Sequence, residues 1–305
     1  MKGIKGQVSL NRQLCTLVVV AGLAGAITAL SSCESISKAR HPSAAQTARG
    51  QELVIKAGEQ VLRFSLEELS RSPHLRTVEV TQDPAYGGRK MTYKAVPVAE
   101  LFRGLKFNAA GTALFSCLDG FSGPLSISRL IDQGPKSSIA YIAVESKESP
   151  WPALKPGSSV TAGPFYLIWE HPERSRIQRE EWPFQLASLE VKKESVEAQF
   201  PKTAPASNIS ANSPVRKGYL VFQRNCFFCH KINGEGQSEI GPDLNLPYGP
   251  TEYMKLSHLE RLIRDPQTLR KWPQARMPGF NSKEISDAEM EHLIAYLQHM
   301  SKGKR

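Results

Sequence analysis

The stretch "NCFFCHK", residues 225–231, places two cysteines three positions apart and a histidine directly after the second. Cys-x-x-Cys-His is the attachment motif of a c-type haem. Cys226 and Cys229 would form thioethers with the two vinyl groups, and His230 would ligate the iron from the proximal side. A thioredoxin-like redox pair or half of a zinc site are the other interpretations. The flanks do not suggest a βαβ unit, and no second cysteine pair follows, so we predict one covalent haem c.

Length and charge set the frame for this motif. The chain has 305 residues, 40% of them hydrophobic, and a formal net charge of +10. Taking roughly 100–200 residues per domain, we expect about two globular domains. A basic surface favours acidic partner proteins or anionic membranes. No nucleic-acid-binding motif accompanies the charge, and we expect no nucleic acid partner.

The N-terminus has the pattern of an export signal. Three basic residues and no acid come before an apolar run from Leu14 to Leu30: Lys2, Lys5 and Arg12. "LSSC", residues 30–33, then resembles the bacterial lipobox, in which the cysteine is lipidated and becomes the new N-terminus. An uncleaved transmembrane anchor and ordinary signal cleavage are the alternatives. We expect a signal peptide at 1–32, a lipid on Cys33, and a protein anchored on the periplasmic side of a bacterial membrane.

Composition divides the rest of the chain. Residues 33–49 are polar and lack periodicity, as expected of a tether. "PKTAPASNISANSP", residues 201–214, is rich in Pro, Ala, Ser and Asn, shows no buried pattern, and is interpreted as a linker. It separates a central domain at 50–200 from a C-terminal domain at 215–305.

The C-terminal domain has the periodicity of three helices. Tyr219 and Phe222 lie at helical spacing before the motif, and Gly218 would allow a close approach. A middle helix should end at Asp265-Pro266. "SDAEMEHLIAYLQHM" opens with a Ser286-x-x-Glu289 capping box. Such a small α domain has too little core without a cofactor.

Residues 215–301 resemble a class I mono-haem cytochrome c in the order "CFFCH", "GPDL", middle helix, "MPGF" and last helix. The resemblance implies that Met277 supplies the distal thioether and that the carbonyl of Pro242 accepts from Nδ1–H of His230. Met254 also lies downstream of the motif, and the other candidates lie on predicted helices, with His258 the leading substitute: Met290, Met300, His258, His292 and His299. Met277 alone occupies the loop before the last helix.

Filled axial positions on a single haem favour one-electron transfer over catalysis at iron. The chain carries one Cys-x-x-Cys-His motif, whereas a di-haem peroxidase needs two. Basic residues around the motif could surround the haem edge and attract an acidic partner, or form an ordinary solvated surface: Arg216, Lys217, Arg224, Lys231, Arg270, Lys271 and Arg276.

The central domain reads as a β-rich α+β fold. Its predicted strands are "ELVIKA", "QVLRFS", "RTVEVT", "TALFSC", "IAYIAV", "FYLIWE" and "FQLASLEV". The order of "FSLEELSR", "YKAVPVAELF", "CLDGFSGPLSISRL", "IAYIAVES", "AGPFYLIWE" and "WPFQLASLEV" resembles the molybdopterin-binding fold of the sulfite oxidase family. That family ligates molybdenum through a Cys-x-Gly-Asn-x-Arg loop, which is missing here. We expect Cys117 to be a buried core thiol, Asp119-Gly120 a turn, and the molybdenum cofactor to be absent.

Two functions of different classes follow. The first is an electron carrier, a membrane-tethered cytochrome c whose β-rich domain is a docking or spacing module. The alternative is a molybdenum-dependent oxidoreductase that passes electrons to its own fused haem. A sensor or assembly subunit with a structural haem is a third, lesser hypothesis.

Overall fold

The computed structural model describes residues 52–271 and 275–304. The signal peptide, the tether and Cys33 lie outside these residues. None of the helices described in these two ranges is long and apolar enough to cross a membrane. The described residues all belong to one unit of the chain, Pro42–Arg305.

The first part of the described chain is built from two sheets. The strands are β1 (Glu52–Ala57), β2 (Gln60–Ser65), β3 (Arg76–Asp83), β4 (Arg89–Pro97), β5 (Thr112–Cys117), β6 (Ser122–Ser126), β7 (Ile139–Val144), β8 (Phe165–Glu170) and β9 (Leu186–Lys192). One sheet has the strand order β2-β1-β9-β5-β6 and the other β3-β4-β7-β8. Neighbours are antiparallel except β1 and β9, which are parallel.

The seven strands predicted from apolar runs are confirmed, and two strands were missed. β6 reads "SGPLS", and its Gly123 and Pro124 are residues that strands usually avoid. Proline is tolerated there because β6 is an edge strand of its sheet. β4 begins with charged residues and carries its buried positions only toward its end.

Short helices connect the strands. They are α1 (Leu66–Ser70), α2 (Val98–Leu101), α3 (Ile127–Leu130) and α4 (Val196–Gln199). Ser65 and Glu68 form a capping box at the start of α1: Ser65 Oγ accepts from Glu68 N at 3.1 Å, and Glu68 Oε2 accepts from Ser65 N at 2.7 Å. The core between the sheets includes the whole run Phe165–Trp169 and the thiol of Cys117, as predicted.

The second part is helical. Its helices are α5 (Pro214–Asn225), α6 (Pro250–Tyr253), α7 (Leu256–Arg264), α8 (Pro266–Leu269) and α9 (Asp287–Lys302). α7 ends before Asp265-Pro266 as predicted, and the Ser286/Glu289 capping box opens α9. α5 crosses α9 at Gly218, where an added Cβ would collide with the carbonyl of His292. A sheet-rich region followed by a small helical domain is the predicted fold class.

The stretch interpreted as a linker packs onto the helical domain. Thr203 and Ala204 are buried, so the prediction that residues 201–214 lack buried positions is wrong there. The carbonyl of Thr203 accepts from Tyr296 Oη at 2.6 Å. Small side chains let this stretch lie against the aromatic face of α5 and α9.

Candidate haem-binding site

The two motif cysteines and His230 lie on one tight turn that continues α5. Ser213 caps this helix, and its Oγ accepts from Arg216 N at 3.1 Å. Beyond the helix, the carbonyl of Cys226 accepts from Cys229 N at 3.0 Å and from His230 N at 2.9 Å. Bonds from residues i+3 and i+4 to one carbonyl wind the motif as a helical turn. The three side chains that the sequence singled out are thus brought together.

The two motif cysteines form no disulfide with each other, and both are partly buried. Burial, with a smaller contribution from the negative charge of Glu180, raises the pKa of Cys226 to about 12 and that of Cys229 to about 11. At neutral pH both are therefore thiols rather than thiolates, and neither has the low pKa of a redox-active Cys-x-x-Cys pair.

The imidazole of His230 is fixed by a backbone carbonyl. Its Nδ1 lies 2.8 Å from the carbonyl oxygen of Pro242. A carbonyl can only accept, so Nδ1 carries the hydrogen and Nε2 keeps its lone pair. Burial lowers the pKa of His230, which favours this neutral form. A neutral imidazole with a free Nε2 is the form that binds a metal.

Gly241 allows this loop to approach the histidine so closely. An added Cβ at Gly241 would lie 2.5 Å from Cε1 and 2.6 Å from Nδ1 of His230. Two backbone bonds of 2.8 Å hold the loop in place, from Gly241 N to the carbonyl of Cys229 and from Leu244 N to that of Lys231. The sequence did not single out Gly241, although its place in "GPDL" was the available indication.

Met277 lies on a separate loop between α8 and α9 and packs, half-buried, against the helical core. Arg264 of α7 holds this loop: its guanidinium donates to the carbonyls of Phe280, at 3.1 Å, and Ile285. The backbone N–H of Phe280 donates to the carbonyl of Ile263 at 2.9 Å. The loop that carries Met277 therefore has a defined position on the helical core.

The rival ligand candidates have other places. Met290 and Met300 are buried in α9 and form part of the helical core. Met254 is half-buried against the same core. His258 is exposed on α7. Nε2 of His299 accepts from Ala206 N at 3.3 Å.

A comparison with protein families decides the nature of this region. The family model described as cytochrome c matches residues 215–301. Residues 215–301 are a cytochrome c domain. Domains of this family carry covalently bound haem c and transfer electrons, so residues 215–301 form a haem-binding electron-transfer domain.

Two further comparisons add no functional argument. No curated protein matches the chain. Among solved structures, the chain is similar to the sulfane dehydrogenase SoxCD from Paracoccus pantotrophus, with 18% identity and a TM-score of 0.33. The likeness covers 48% of this chain and 40% of that one, so this chain spans well under two thirds of its length.

The residues of the cytochrome c domain fit a haem. Cys226 and Cys229 would hold it covalently, while His230, oriented by Pro242, and Met277 are the candidate axial ligands. Nδ2 of Asn225, directly before Cys226, is buried and has no hydrogen-bond partner among the described residues. A buried donor of this kind is satisfied by a polar group of a bound molecule or by an ordered water.

The two phenylalanines between the cysteines lie in different cores. Phe227 belongs to the helical core, with its ring 5.0 Å from that of Phe200. Phe228 belongs to the sheet core and stacks on Phe115 at 6.0 Å, with an interplanar angle of 20°. An added Cβ at Gly123 would collide with Phe228. The motif thus joins the cytochrome c domain to the sheet domain, which the sequence analysis did not predict.

The sheet domain also places charged groups beside the site. A 3-10 turn, Arg179–Glu181, lies between β8 and β9. The side chain of Glu180 is 9% exposed, and burial raises the pKa of its carboxyl. "QREEW" gave no indication that these residues would meet the cytochrome c domain.

Proposed function

We propose that the protein is a membrane-tethered, periplasmic electron carrier with one haem c ligated by His230 and Met277. The observation that carries the ligation is the bond from Nδ1 of His230 to the carbonyl of Pro242 at 2.8 Å, beside the two motif cysteines. This bond leaves the lone pair of His230 Nε2 available to ligate the iron.

Haem c supplies a one-electron ferric/ferrous couple when bound. The chain's own residues set its environment: Pro242 fixes the plane of the imidazole, and Arg264 fixes the loop that offers the thioether of Met277. A methionine thioether together with a histidine imidazole would give the iron a higher reduction potential than two histidines would. If His230 and Met277 both hold the iron, no position would be left for small oxidants, and one-electron transfer would be the chemistry that the group supplies.

The partner in this proposal is a redox protein with an acidic docking face. Support comes from the net charge of +10 and from Lys271 and Arg276, which are exposed close to Met277 in the sequence. Attraction between opposite charges speeds encounter and weakens with ionic strength. Electron transfer to an acidic partner should therefore slow as salt is added.

Lipidation of Cys33 is the proposed anchor, supported by the "LSSC" sequence after an apolar run. Cys33→Ser should move the protein from the membrane fraction to the soluble periplasmic fraction. Cys15→Ser, which changes a cysteine inside the apolar run, is the matched control and should leave the protein membrane-bound. Equal membrane binding of both variants would contradict lipid anchoring.

The alternative, a molybdenum-dependent oxidoreductase, needs a metal ligand in the sheet domain. Cys117 is the only cysteine between residues 52 and 225. Its thiol is buried in the sheet core, and burial raises its pKa well above the ordinary value. Burial among apolar side chains disfavours the thiolate that a metal would require.

Metal analysis of the protein purified from its own membranes separates the two functions. One iron per chain without molybdenum is the result expected of the electron carrier. Molybdenum at one per chain would contradict it and favour the alternative.

Met277→Ala tests the ligation. The variant should keep covalent haem, lose the red charge-transfer band of thioether-ligated ferric haem, lower the reduction potential and bind imidazole more tightly. An unchanged spectrum and potential would assign the sixth position to another residue, and His258→Ala would be examined next.

A further inference from the structure

Hydrogen bonds hold the segment 175–182 against the rest of the sheet domain. The carboxylate of Glu181 is buried and accepts from Arg129 Nη1 at 2.6 Å and from Gln178 N at 2.8 Å. Arg129 also donates through Nη2 to the carbonyl of Ser175 at 2.7 Å. The indole of Trp169 in β8 donates to the carbonyl of Glu181 at 2.8 Å. A buried, fully paired carboxylate ties the segment to the sheet.

Arg179, within this segment, contacts the cytochrome c domain. Nη2 of Arg179 lies 3.6 Å from Oε1 of Glu284, and its Cζ lies 5.8 Å from the centre of the Phe280 ring. Nε of Arg179 also lies 3.5 Å from Oε1 of Glu180, which limits where the guanidinium can go. One cation therefore meets an aromatic ring and a carboxylate of the other domain.

Both contacts fall on the loop that carries Met277. Phe280 is three residues after Met277, and Glu284 lies where the loop turns into α9, its Oε2 accepting from Asn281 N at 2.9 Å. Arg264 binds the loop from within the cytochrome c domain. Arg179 binds the same loop from the sheet domain.

Other contacts between the domains fix the position of segment 175–182 relative to the loop that carries Met277. Phe228 is packed in the sheet core directly beside the motif cysteines. The motif turn is anchored on the sheet domain, and segment 175–182 belongs to that domain. The position of the Arg179 guanidinium relative to the Met277 loop is therefore fixed.

We propose that Arg179 is a positioning residue for the sixth ligand: the sheet domain holds the Met277 loop closed through Phe280 and Glu284. This inference rests on the proposed His230/Met277 ligation. It gives the sheet domain a task beyond spacing, because opening the loop would require breaking contacts between the domains. Arg179 acts on Met277 through the loop and does not itself touch the haem.

The test uses the full-length haem-loaded protein and measures the affinity of ferric haem for imidazole, which competes with Met277. Arg179→Gln removes the cation but keeps a polar side chain of moderate length. We expect imidazole to bind roughly fivefold more tightly, corresponding to about 1 kcal/mol of lost loop closure. The red charge-transfer band should weaken, and the reduction potential should fall.

Two controls accompany this variant. Arg179→Lys keeps the cation near Phe280 and Glu284 and should restore most of the imidazole resistance. Arg174→Gln changes a neighbouring arginine that donates to the carbonyl of Pro135 within the sheet domain. It should bind imidazole as the unchanged protein does.

Glu284→Gln tests the loop side of the same contact. It keeps an acceptor for Asn281 N but removes the charge, so imidazole affinity should rise by a smaller factor. Combined with Arg179→Gln, its effect should be less than additive, as for residues in direct contact. If Arg179→Gln disturbs the sheet domain in thermal unfolding, Glu284→Gln decides the question from the other side.

The outcomes separate this inference from the proposed function. If Met277→Ala binds imidazole much more tightly while Arg179→Gln and Glu284→Gln do not, Met277 is the ligand and Arg179 does not hold its loop. If Met277→Ala leaves imidazole binding and the spectrum unchanged, the ligation itself is wrong and the inference falls with it.

Discussion

Phe227 and Phe228 are neighbours in the sequence, yet each belongs to the core of a different domain. Phe227 lies among aromatic residues of the helices, and Phe228 among those of the sheets. The sheet core is made of the chain's own side chains, including the buried run Phe165–Trp169 of β8. The helical core surrounds a motif whose chemistry requires a prosthetic group. One region supplies its own interior, whereas the other relies on what the cysteines bind.

The largest expected effect comes from removing the cysteines. Cys226→Ser combined with Cys229→Ser should abolish covalent haem and leave the cytochrome c domain largely unfolded, because a domain of this size has little core of its own. The sheet domain should keep a cooperative transition. Haem staining after denaturing electrophoresis and thermal unfolding by circular dichroism measure the two effects.

Cys117→Ala is the matched control for the cysteine pair. It removes a buried thiol of the sheet core and should lower the stability of that domain by about 1 kcal/mol while haem stays attached. A cysteine-pair variant with native helicity and a sharp helical transition would break the comparison, because the helical core would then be complete without haem.

The two phenylalanines offer the next test. Phe227→Ala and Phe228→Ala should each cost about 3–5 kcal/mol, the usual range for a buried phenylalanine. The loss should appear in different places. Soret absorbance reports on the cytochrome c domain, and tryptophan fluorescence reports mainly on the sheet domain, which holds Trp151, Trp169 and Trp182. Equal shifts of both probes by both variants would mean that the two cores unfold as one.

The sequence predicted what depends on local pattern. Alternating or continuous apolar runs predicted seven strands, and Ser286 predicted a helix start, because these features depend on neighbours a few residues apart. β6 was not predicted because Pro124 disfavours a strand unless that strand lies at the edge of its sheet. Whether a strand lies at an edge is a property of the complete sheet.

The difference between features set by local sequence and features set by the complete fold also applies to the haem-binding site. Cys226, Cys229 and His230 form a motif that carries its chemistry in its spacing. Arg179 and Glu284 are far apart in the sequence, and their meeting depends on how two domains pack. Nothing in "CFFCH" says that Phe228 faces a sheet, since both phenylalanines are equally apolar. Contacts between domains are therefore the part that only the structure supplied.

The smallest expected effect concerns the polar centre of the sheet domain. The carboxylate of Asp83 is fully buried and accepts from Tyr93 Oη at 2.7 Å and Tyr166 Oη at 3.1 Å. Backbone N–H groups of Ala85, at 2.9 Å, and Tyr86, at 3.3 Å, complete its partners. Burial raises the pKa of Asp83 above its ordinary value of 3.8, although these hydrogen bonds oppose the rise.

The raised pKa of Asp83 in the folded state determines the direction in which stability changes with pH. The folded protein holds the Asp83 proton more tightly than the unfolded chain does, so the ionised carboxylate costs stability. The free energy of unfolding should therefore fall as the pH rises from 3.8 through the raised pKa, and then level off. Asp83→Asn should lack this fall, so the difference in unfolding free energy between the two proteins should change by about 1 kcal/mol across the pH range.

Urea unfolding followed by tryptophan fluorescence, at a series of pH values, measures this difference. The carboxyl pKa values of Glu180 and Glu181 are also raised by burial. Their contributions cancel when the free energy of unfolding of the variant is subtracted from that of the unchanged protein at each pH. A difference that grows in favour of Asp83 as the pH rises would reverse the sign. It would mean that the hydrogen bonds from Tyr93 and Tyr166 outweigh desolvation. The sheet domain would then stabilise a buried charge with its own side chains, which sharpens its contrast with a helical domain that depends on haem.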